Sequence, residues 1–339
     1  MNKIEFPRTG VDGTERTKQE IEDFFYNNVF GPINQNLASV SASDSSEQLC
    51  LNIIKRNLKA IILASPQQLF KWSCQVDRIF NAKSISLFRT RNAKNQLTLT
   101  TFGAGILDAF NYKGFQKKGT LAELAYMLNV KSCPYCNMHY TLVIEEDLDK
   151  KQKRKLAKFQ FDHFIDKSDY PMFSMSLYNL IPSCAICNNA KSIKKLSLDF
   201  HPYYSNVCEL FTFKVHDPIG LYCGERIKDE IEIDIQQNGV NKNDLDDFID
   251  TFHLKTLYQR HGDIAQETFD KAYEKEYYQQ PSNFSWLSNS SPEYIQQLWM
   301  GVYPNEKDIE KRPMSKFIQD LWNQAKNIKT QINIEDTNE

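Results

Sequence analysis

The chain has 339 residues, of which 41% are hydrophobic and 12% aromatic, so it can bury a substantial core over two or three domains. Its formal charge of -2 is uneven, because residues 1–200 carry 27 Lys and Arg against 19 Asp and Glu, and the remainder carries 14 against 24. No apolar run approaches the roughly 18 residues of a membrane span, and the first residues lack the apolar segment of a signal peptide, so we expect a soluble, cytoplasmic protein.

The N-terminal 130 residues read as a basic, mainly helical domain. Thr120 followed by Glu123 has the spacing of a capping box, which predicts a helix start, and an apolar stripe continues from Leu121 to Leu128. Upstream, residues 72–94 mix aromatic side chains with Lys and Arg. That mixture suits a nucleic-acid backbone, although ordinary helix amphipathicity explains it equally well.

Residues 206–339 read as an acidic, mostly helical domain. Two short alternating segments, 210–215 and 230–234, predict strands. An apolar stripe predicts a helix after Asn243, a second helix is expected from Asp263 to about Tyr278, and a third begins near Pro313. An acidic surface of this kind suits solvent or a protein partner, whereas the basic front part of the chain suits a polyanion.

Four of the eight cysteines form two CxxC pairs, Cys133 with Cys136 and Cys184 with Cys187. Two such pairs supply the four thiolates of a tetrahedral structural zinc site. A redox role for either pair is less favoured, since no βαβ pattern surrounds it. With four protein sulfurs the zinc ion has no open position, so it would hold structure and not activate water. The 47 residues between the pairs indicate that a further structural element lies between the two halves of the zinc site.

That interval and the residues directly after the second pair contain side chains suited to hydrolysis of a phosphodiester. Asp162 and His163 lie in an apolar, strand-like run, Asn179 precedes the second pair, and Asn188 and Lys191 follow it. Two strands and a helix would bring Asp162, His163, Asn179 and Asn188 around one space. A neutral imidazole suits the removal of a proton from water, and Mg²⁺ prefers hard oxygen ligands such as carboxylates and amides.

The ordered combination of these motifs resembles the zinc-stapled HNH endonucleases of the ββα-metal (His-Me finger) superfamily. The resemblance covers about 70 residues and implies an α+β protein with mainly helical flanks around a small, treble-clef-like ββα-metal module. The expected domains are therefore 1–130 (helical), 131–205 (nuclease module) and 206–339 (acidic, helical).

The resemblance also implies a role for each residue. His163 is expected to be the general base, and Asp162 and Asn188 are expected to hold a catalytic Mg²⁺ or Mn²⁺. Asn179 would bind backbone and hold the catalytic loop. Lys191 and Lys167 are candidates for substrate phosphate contacts, although a solvated helix lysine is an equally good reading of Lys191.

Other readings of these residues stay open at this point. Asn188 could simply cap the helix that begins there, and the Asp162-His163 pair could be inert. His139 is superfluous as a fifth zinc ligand and is expected to be structural. His201, in an Asp-Phe-His-Pro sequence after the module, is a weaker candidate for the site.

More loosely, the chain resembles the HNH subunit of Septu-type anti-phage systems, which implies an ATPase partner. The sequence has no GxxxxGK[ST] motif, so any nucleotide dependence would come from that partner. The expected substrate is nucleic acid, DNA before RNA, and a double-strand break would need two copies or two turnovers. The alternatives are a stand-alone restriction-type HNH nuclease and a zinc protein that binds nucleic acid without cutting it.

Overall fold

The computed structural model describes residues 3–80, 87–149, 152–222, 231–273 and 290–336. In these ranges the chain is a mostly helical α+β protein whose strands pair in two-stranded antiparallel sheets. No helix in these ranges combines the length and the apolar character that a membrane span requires.

The chain divides into two compact units. The first, here called the hairpin unit, comprises residues 3–130 and 141–205, and the second, the C-terminal unit, comprises residues 131–140 and the chain from 206 onward. The chain thus passes between units close to the boundaries expected at 130 and 205. Residues 141–205 nevertheless cluster with the N-terminal residues and do not form a compact unit of their own.

The hairpin unit contains eight of the described helices and four strand pairs. The helices are α1 (Lys18–Ala38), α2 (Ser45–Arg56), α3 (Leu58–Ile62), α4 (Pro66–Phe80), α5 (Thr101–Phe110), α6 (Tyr112–Lys117), α7 (Thr120–Leu128) and α8 (Ala185–Lys191). The strands are β1 (Arg8–Thr9), β2 (Glu15–Arg16), β3 (Arg89–Arg91), β4 (Leu97–Leu99), β5 (Val143–Asp149), β6 (Gln152–Ala157), β7 (Gln160–His163) and β8 (Leu180–Ser183).

Helix α1 forms the centre of this unit and begins at a true capping box. The Thr17 side chain accepts from the backbone N–H of Glu20, and the Glu20 carboxylate accepts from the backbone N–H of Thr17. A buried stripe then recurs every four residues, which places it along one face. The stripe consists of Ile21, Phe25, Val29, Ile33 and Leu37. With this face α1 packs against α5, α3 and α7.

The prediction of a capping box at Thr120 is wrong, although the predicted helix is present. Gly119, in the left-handed conformation with φ of 84°, takes the N-cap position of α7, and no side chain caps the helix. Thr120 is already the first helical residue, so its hydroxyl cannot occupy the cap. The predicted apolar stripe is confirmed, since Leu121, Leu124 and Leu128 are buried.

A short hairpin followed by a helix positions the candidate site. Strands β7 and β8 pair antiparallel, with Asp162 opposite Ile181 and His163 opposite Leu180. Every residue of β8 is buried, and helix α8 begins immediately afterwards and packs against β7. The predicted order of two strands and a helix is therefore present in this part of the chain.

The C-terminal unit contains one antiparallel strand pair and the remaining described α-helices. They are β9 (Phe211–Val215), α9 (Pro218–Tyr222), β10 (Ile233–Gln237), α10 (Lys242–Phe252), α11 (Leu254–Tyr258), α12 (Gly262–Tyr273), α13 (Pro292–Met300) and α14 (Ser315–Asp336).

An aromatic core holds the C-terminal unit together. The Phe213 ring lies 4.3 Å from the Tyr258 ring and 5.4 Å from the Phe317 ring, measured between centroids. The predicted strand at 210–215 and the helices expected after Asn243 and Pro313 are confirmed, while the second strand is displaced to Ile233–Gln237. The expected end of the second helix at Tyr278 lies outside the described residues.

Candidate functional site

The four cysteines of the two CxxC pairs converge in a buried cluster. The sulfur atoms of Cys133, Cys136, Cys184 and Cys187 all lie within 4.8 Å of one another. Tetrahedral zinc with Zn–S bonds of about 2.3 Å requires sulfur atoms about 3.8 Å apart, so the cluster has the ligands and nearly the spacing of such a site. Among the described residues, this is the group of three or more His, Cys, Asp or Glu side chains whose ligand atoms are close enough together to hold a metal ion.

The first cysteine pair lies in a tight turn with backbone bonds typical of a metal-binding knuckle. The N–H of Asn137 donates to the Cys133 carbonyl at 2.8 Å, and the N–H of Met138 points at the Cys136 sulfur at 3.4 Å. Asn137 adopts the left-handed conformation, with φ of 51°, which asparagine tolerates better than most residues. The turn therefore directs the N–H of Met138 toward the Cys136 sulfur.

Asn137 also fixes this turn within the C-terminal unit, a role that sequence reasoning missed. Its side chain is fully buried and donates to the Ser132 hydroxyl at 2.8 Å and to the Ile309 carbonyl at 3.0 Å. Its amide oxygen accepts from the N–H of Lys316 at 2.9 Å. The partners are up to 179 positions away along the chain, so no local pattern could have indicated them.

The second cysteine pair forms the start of α8. Cys184 is the N-cap residue, and its sulfur accepts from the N–H of Cys187 at 3.4 Å. The expectation of a helix starting at this pair is confirmed. The reading of Asn188 as the cap is wrong, because Asn188 is the fourth residue of the helix and the sulfur already occupies the cap.

Asp162 and Lys191 form a buried ion pair between β7 and α8. The Lys191 side chain has no exposed surface, its Nζ lies 3.3 Å and 3.4 Å from the two Asp162 carboxylate oxygens, and it donates to the His163 carbonyl at 2.8 Å. An ammonium this deeply buried does not present itself to a substrate phosphate or to solvent. The placement therefore argues against both readings of Lys191 drawn from the sequence and gives it a structural contact with Asp162.

His163, at the end of β7, has a defined ring orientation. The Nε2–H donates to the Ser174 carbonyl at 3.0 Å, since a carbonyl oxygen can only accept, and this leaves the lone pair on Nδ1. His163 is 7% exposed as a residue, and burial lowers its pKa to about 3, assisted by the nearby Lys167 and Lys191. The ordinary value near 6.5 expected from the residue type is thus corrected, because the folded chain removes water from the ring.

Asn179 ties together the two ends of the loop that follows His163. Its amide oxygen accepts from the N–H of Ile165 at 2.7 Å, and its amide nitrogen donates to the carbonyls of Ile165 and Phe173, each at 3.0 Å. The side chain is fully buried. These are contacts to backbone on either side of the 166–172 segment, so Asn179 sets the path of the chain next to His163.

Asn188 reaches back from α8 to the first residue of β7. Its amide nitrogen donates to the Gln160 side-chain oxygen, and its residue is partly exposed. Gln160 and Asp162 are two positions apart on a strand and share a face, and Lys191 is one helical turn beyond Asn188. The Gln160–Asn188 and Asp162–Lys191 contacts therefore run side by side between β7 and α8.

Tyr112 and Lys167 complete the surroundings of the imidazole. The Tyr112 ring meets the His163 ring edge-on at 4.7 Å between centroids, and the Lys167 Nζ lies 5.1 Å from the centre of the Tyr112 ring. Burial, with a contribution from the Asp162 charge, raises the pKa of Tyr112 to about 12. Partial burial lowers the pKa of Lys167. Tyr112 carried no recognisable signal in the sequence.

The two remaining histidine candidates are placed differently. His201 is fully buried in the hairpin unit, where its ring packs 4.3 Å from the Phe164 ring and its Nδ1 accepts from the N–H of Tyr203. His139 contributes its backbone carbonyl, which accepts from the N–H of Cys133 at 2.9 Å. Neither imidazole belongs to the cysteine cluster.

The basic and aromatic stretch at 72–94 is only partly a free surface. Phe88 is fully buried, and Arg89 forms an ion pair with Asp169 in the loop after His163. Lys83 lies outside the described residues.

Comparison with known proteins adds no relative: no protein-family profile, no curated protein and no solved structure matches this chain.

Proposed function

We propose that this chain is a metal-dependent endonuclease of the HNH type that hydrolyses phosphodiester bonds of nucleic acid, DNA in preference to RNA. The observation that carries the proposal is the hairpin of β7 and β8 followed by α8. It places Asp162 and His163 on one strand, Asn188 on the helix, and Asn179 across the intervening loop. The four-cysteine cluster at the start of α8 has the ligand set of a structural zinc ion.

His163 acts as the general base in this proposal. Its Nε2–H is held by the Ser174 carbonyl, and the lone pair on Nδ1 is available to take a proton from water. Burial lowers its pKa to about 3, so the ring is neutral at physiological pH, and it is a weaker base than an imidazole with a pKa near 7. The Tyr112 ring and the Asn179 loop contacts restrict the imidazole to one orientation.

Asp162 and Asn188 are the residues that would hold Mg²⁺ or Mn²⁺. One carboxylate and one amide oxygen are hard ligands of the kind Mg²⁺ takes, with water filling the other positions. When bound, the ion would screen charge on the phosphate and on the leaving oxygen. Asp162 would share its carboxylate between Lys191, whose Nζ lies 3.3 Å and 3.4 Å from the two oxygens, and the ion, since a carboxylate oxygen can accept more than one partner. The donor set fits the ion.

One observation favours a second candidate function, a zinc protein that binds nucleic acid without cutting it. Both proposed metal ligands already have protein partners, Lys191 for Asp162 and Gln160 for Asn188. A stable ion pair would be sufficient for a binding module. The enzyme is favoured because a binding module has no need of a buried, oriented imidazole next to that carboxylate.

The proposal also includes a biological role, in which this nuclease acts in anti-phage defence together with an ATPase partner. The C-terminal unit offers a surface for a protein partner, since α10 carries the acidic and largely exposed residues Asp246, Asp247 and Asp250. Full activity of the isolated protein without any partner would instead support the stand-alone restriction-type nuclease.

The test is a plasmid-nicking assay with Mg²⁺ or Mn²⁺, comparing wild type, His163→Ala and the control His216→Ala. His216 is an exposed histidine of the C-terminal unit, so its replacement should leave nicking unchanged. Loss of a general base typically costs about 100-fold to 10,000-fold in rate, and we expect at least the lower value for His163→Ala. Equal nicking by all three proteins would remove His163 from the mechanism. Nucleic-acid binding with no nicking under either metal, alone or with candidate partners, would favour the binding module.

A further inference from the structure

A basic cavity of about 640 Å³ lies beside the β7 strand, entirely within the hairpin unit. It is formed by the turn between α6 and α7 and by β6 with the residues after it. Its charged lining residues are Lys117, Lys118, Glu123, Lys153, Arg154 and Lys155. Five of these six side chains are cationic, so the cavity favours an anionic occupant.

Ion pairing inside the protein neutralises only part of this charge. Lys155 binds Glu123 at 2.6 Å, and Lys153 binds Glu145 on β5 at 3.3 Å. The remaining cations, Lys117, Lys118 and Arg154, are exposed and form no ion pair with any residue that the structure describes. Within the described part of the chain Arg154 makes no ion pair, although Glu146 is directly opposite it in the β5–β6 register. Three cations that form no ion pair with the described residues thus line this cavity.

The other wall of the cavity is aromatic and leads to the candidate site. Phe159 and Phe161 both line it, and their rings meet edge-on at 5.4 Å between centroids. Phe161 immediately precedes Asp162 on β7, and its carbonyl faces the Tyr112 hydroxyl at 3.5 Å. Phe161 and His163 are two positions apart on β7 and share a face, so a ligand against Phe161 lies on the same face of the strand as His163.

We infer that the basic cavity binds the backbone phosphates of a single nucleic-acid strand. Free cations beside aromatic rings are the combination that grips single strands, in which phosphates pair with charge and bases stack on rings. A duplex is too wide to enter a cavity of about 640 Å³, whereas a single flexible strand can place part of its backbone there. This inference rests on the proposed function in one respect, namely that the bound strand would be the one presented to His163.

The test measures binding, independently of cleavage, by fluorescence anisotropy with a labelled single-stranded oligodeoxynucleotide and no added divalent metal. The variant Lys117→Gln/Lys118→Gln/Arg154→Gln is compared with wild type at salt concentrations from about 50 to 200 mM. Each phosphate contact to a single strand contributes about 0.7 to the slope of log K against log salt, so the slope should fall by about 2. If the two proteins bind equally at about 1 M salt, this slope difference corresponds to binding by the variant that is weaker by about 100-fold at 0.1 M salt.

A matched control removes three exposed cations from the C-terminal unit, Lys242→Gln/Arg260→Gln/Lys307→Gln. It changes the net charge equally, and we expect it to keep nearly the wild-type slope. A duplex of the same sequence should bind more weakly than the single strand and respond little to the cavity variant.

Two results would overturn the inference: a cavity variant that binds like wild type, or a duplex that binds as tightly as the single strand with the same loss in the variant. If wild type nicks plasmid and the cavity variant binds normally, the inference fails and the proposed function stands. If the slope falls as expected and wild type never nicks, the binding site stands and the proposed catalysis fails.

Discussion

Replacing Asn179 by alanine should destabilise the protein by about 3 kcal/mol. The change removes three hydrogen bonds, one accepted from Ile165 and two donated to the carbonyls of Ile165 and Phe173. A buried hydrogen bond contributes about 1 kcal/mol net, and leaving its partner unpaired can cost more, so three bonds set the magnitude. The side chain is fully buried, so water cannot substitute without a rearrangement of the loop. The same rearrangement would release His163 from its orientation and reduce nicking.

The assay is urea denaturation followed by circular dichroism and tryptophan fluorescence, with hydrogen exchange of the Ile165 amide as a local readout. The control is Asn28→Ala, which removes an exposed asparagine on α1 and should change stability by no more than about 0.5 kcal/mol. If Asn179→Ala and Asn28→Ala are equally stable and the Ile165 amide stays protected, the loop does not depend on Asn179 and the reasoning is refuted.

Three further predictions concern the zinc cluster, the buried ion pair and a helix cap. Wild-type protein should contain about one zinc ion per chain, and Cys184→Ser should lose zinc and unfold at lower temperature, as measured by elemental analysis and thermal melts. Lys191→Met should cost about 3 to 5 kcal/mol in urea denaturation, since it leaves the Asp162 carboxylate buried without its cation. Thr100→Ala should cost about 1 kcal/mol in the same assay, because the Thr100 hydroxyl caps α5 by accepting from the N–H of Gly103 at 2.9 Å.

Each of these predictions has a matched control in the chain. Cys74 is exposed and lies outside the cluster, so Cys74→Ser should retain zinc, and equal zinc loss in both variants would contradict the assignment. Adding Asp162→Asn to Lys191→Met should recover much of the lost stability, and strict additivity would show that the two groups do not interact. Thr120→Ala should be nearly neutral because Thr120 caps nothing, and a cost equal to that of Thr100→Ala would restore the expected capping box.

Local patterns predicted those parts of the fold that depend on neighbouring residues. The buried stripe of α7, the strand at 210–215 and the helix after Pro313 follow from apolar periodicity, which reports the face that an element buries. The prediction of a capping box at Thr120 was wrong, and the same Thr-x-x-Glu spacing at Thr17 does form one. At Thr17 the hydroxyl occupies the cap, whereas at Thr120 the left-handed Gly119 occupies it first. Sequence spacing cannot separate these cases, since both fit the pattern and only the backbone conformation of the preceding residue differs.

In the candidate site, too, local patterns predicted some features and could not predict others. The two CxxC pairs indicated four thiols around one point. A turn and a helix start each fix two sulfurs locally, and the folded structure brings the four sulfurs within 4.8 Å of one another. The order of Asp162, His163, Asn179 and Asn188 along the chain indicated candidate catalytic residues. Their assignment as a nuclease stays a proposal for the nicking assay to decide.

Only the tertiary structure decided what surrounds those residues. Lys191 is spaced like a solvated helix residue, yet it is fully buried against Asp162, and Tyr112 reaches the His163 ring from 51 positions away. The sequence alone determined which chemical groups the chain carries and which short elements hold them. Burial, ion pairing and the lowered pKa of His163 depend on how much water the folded chain removes from each group, and contacts between distant segments set that quantity.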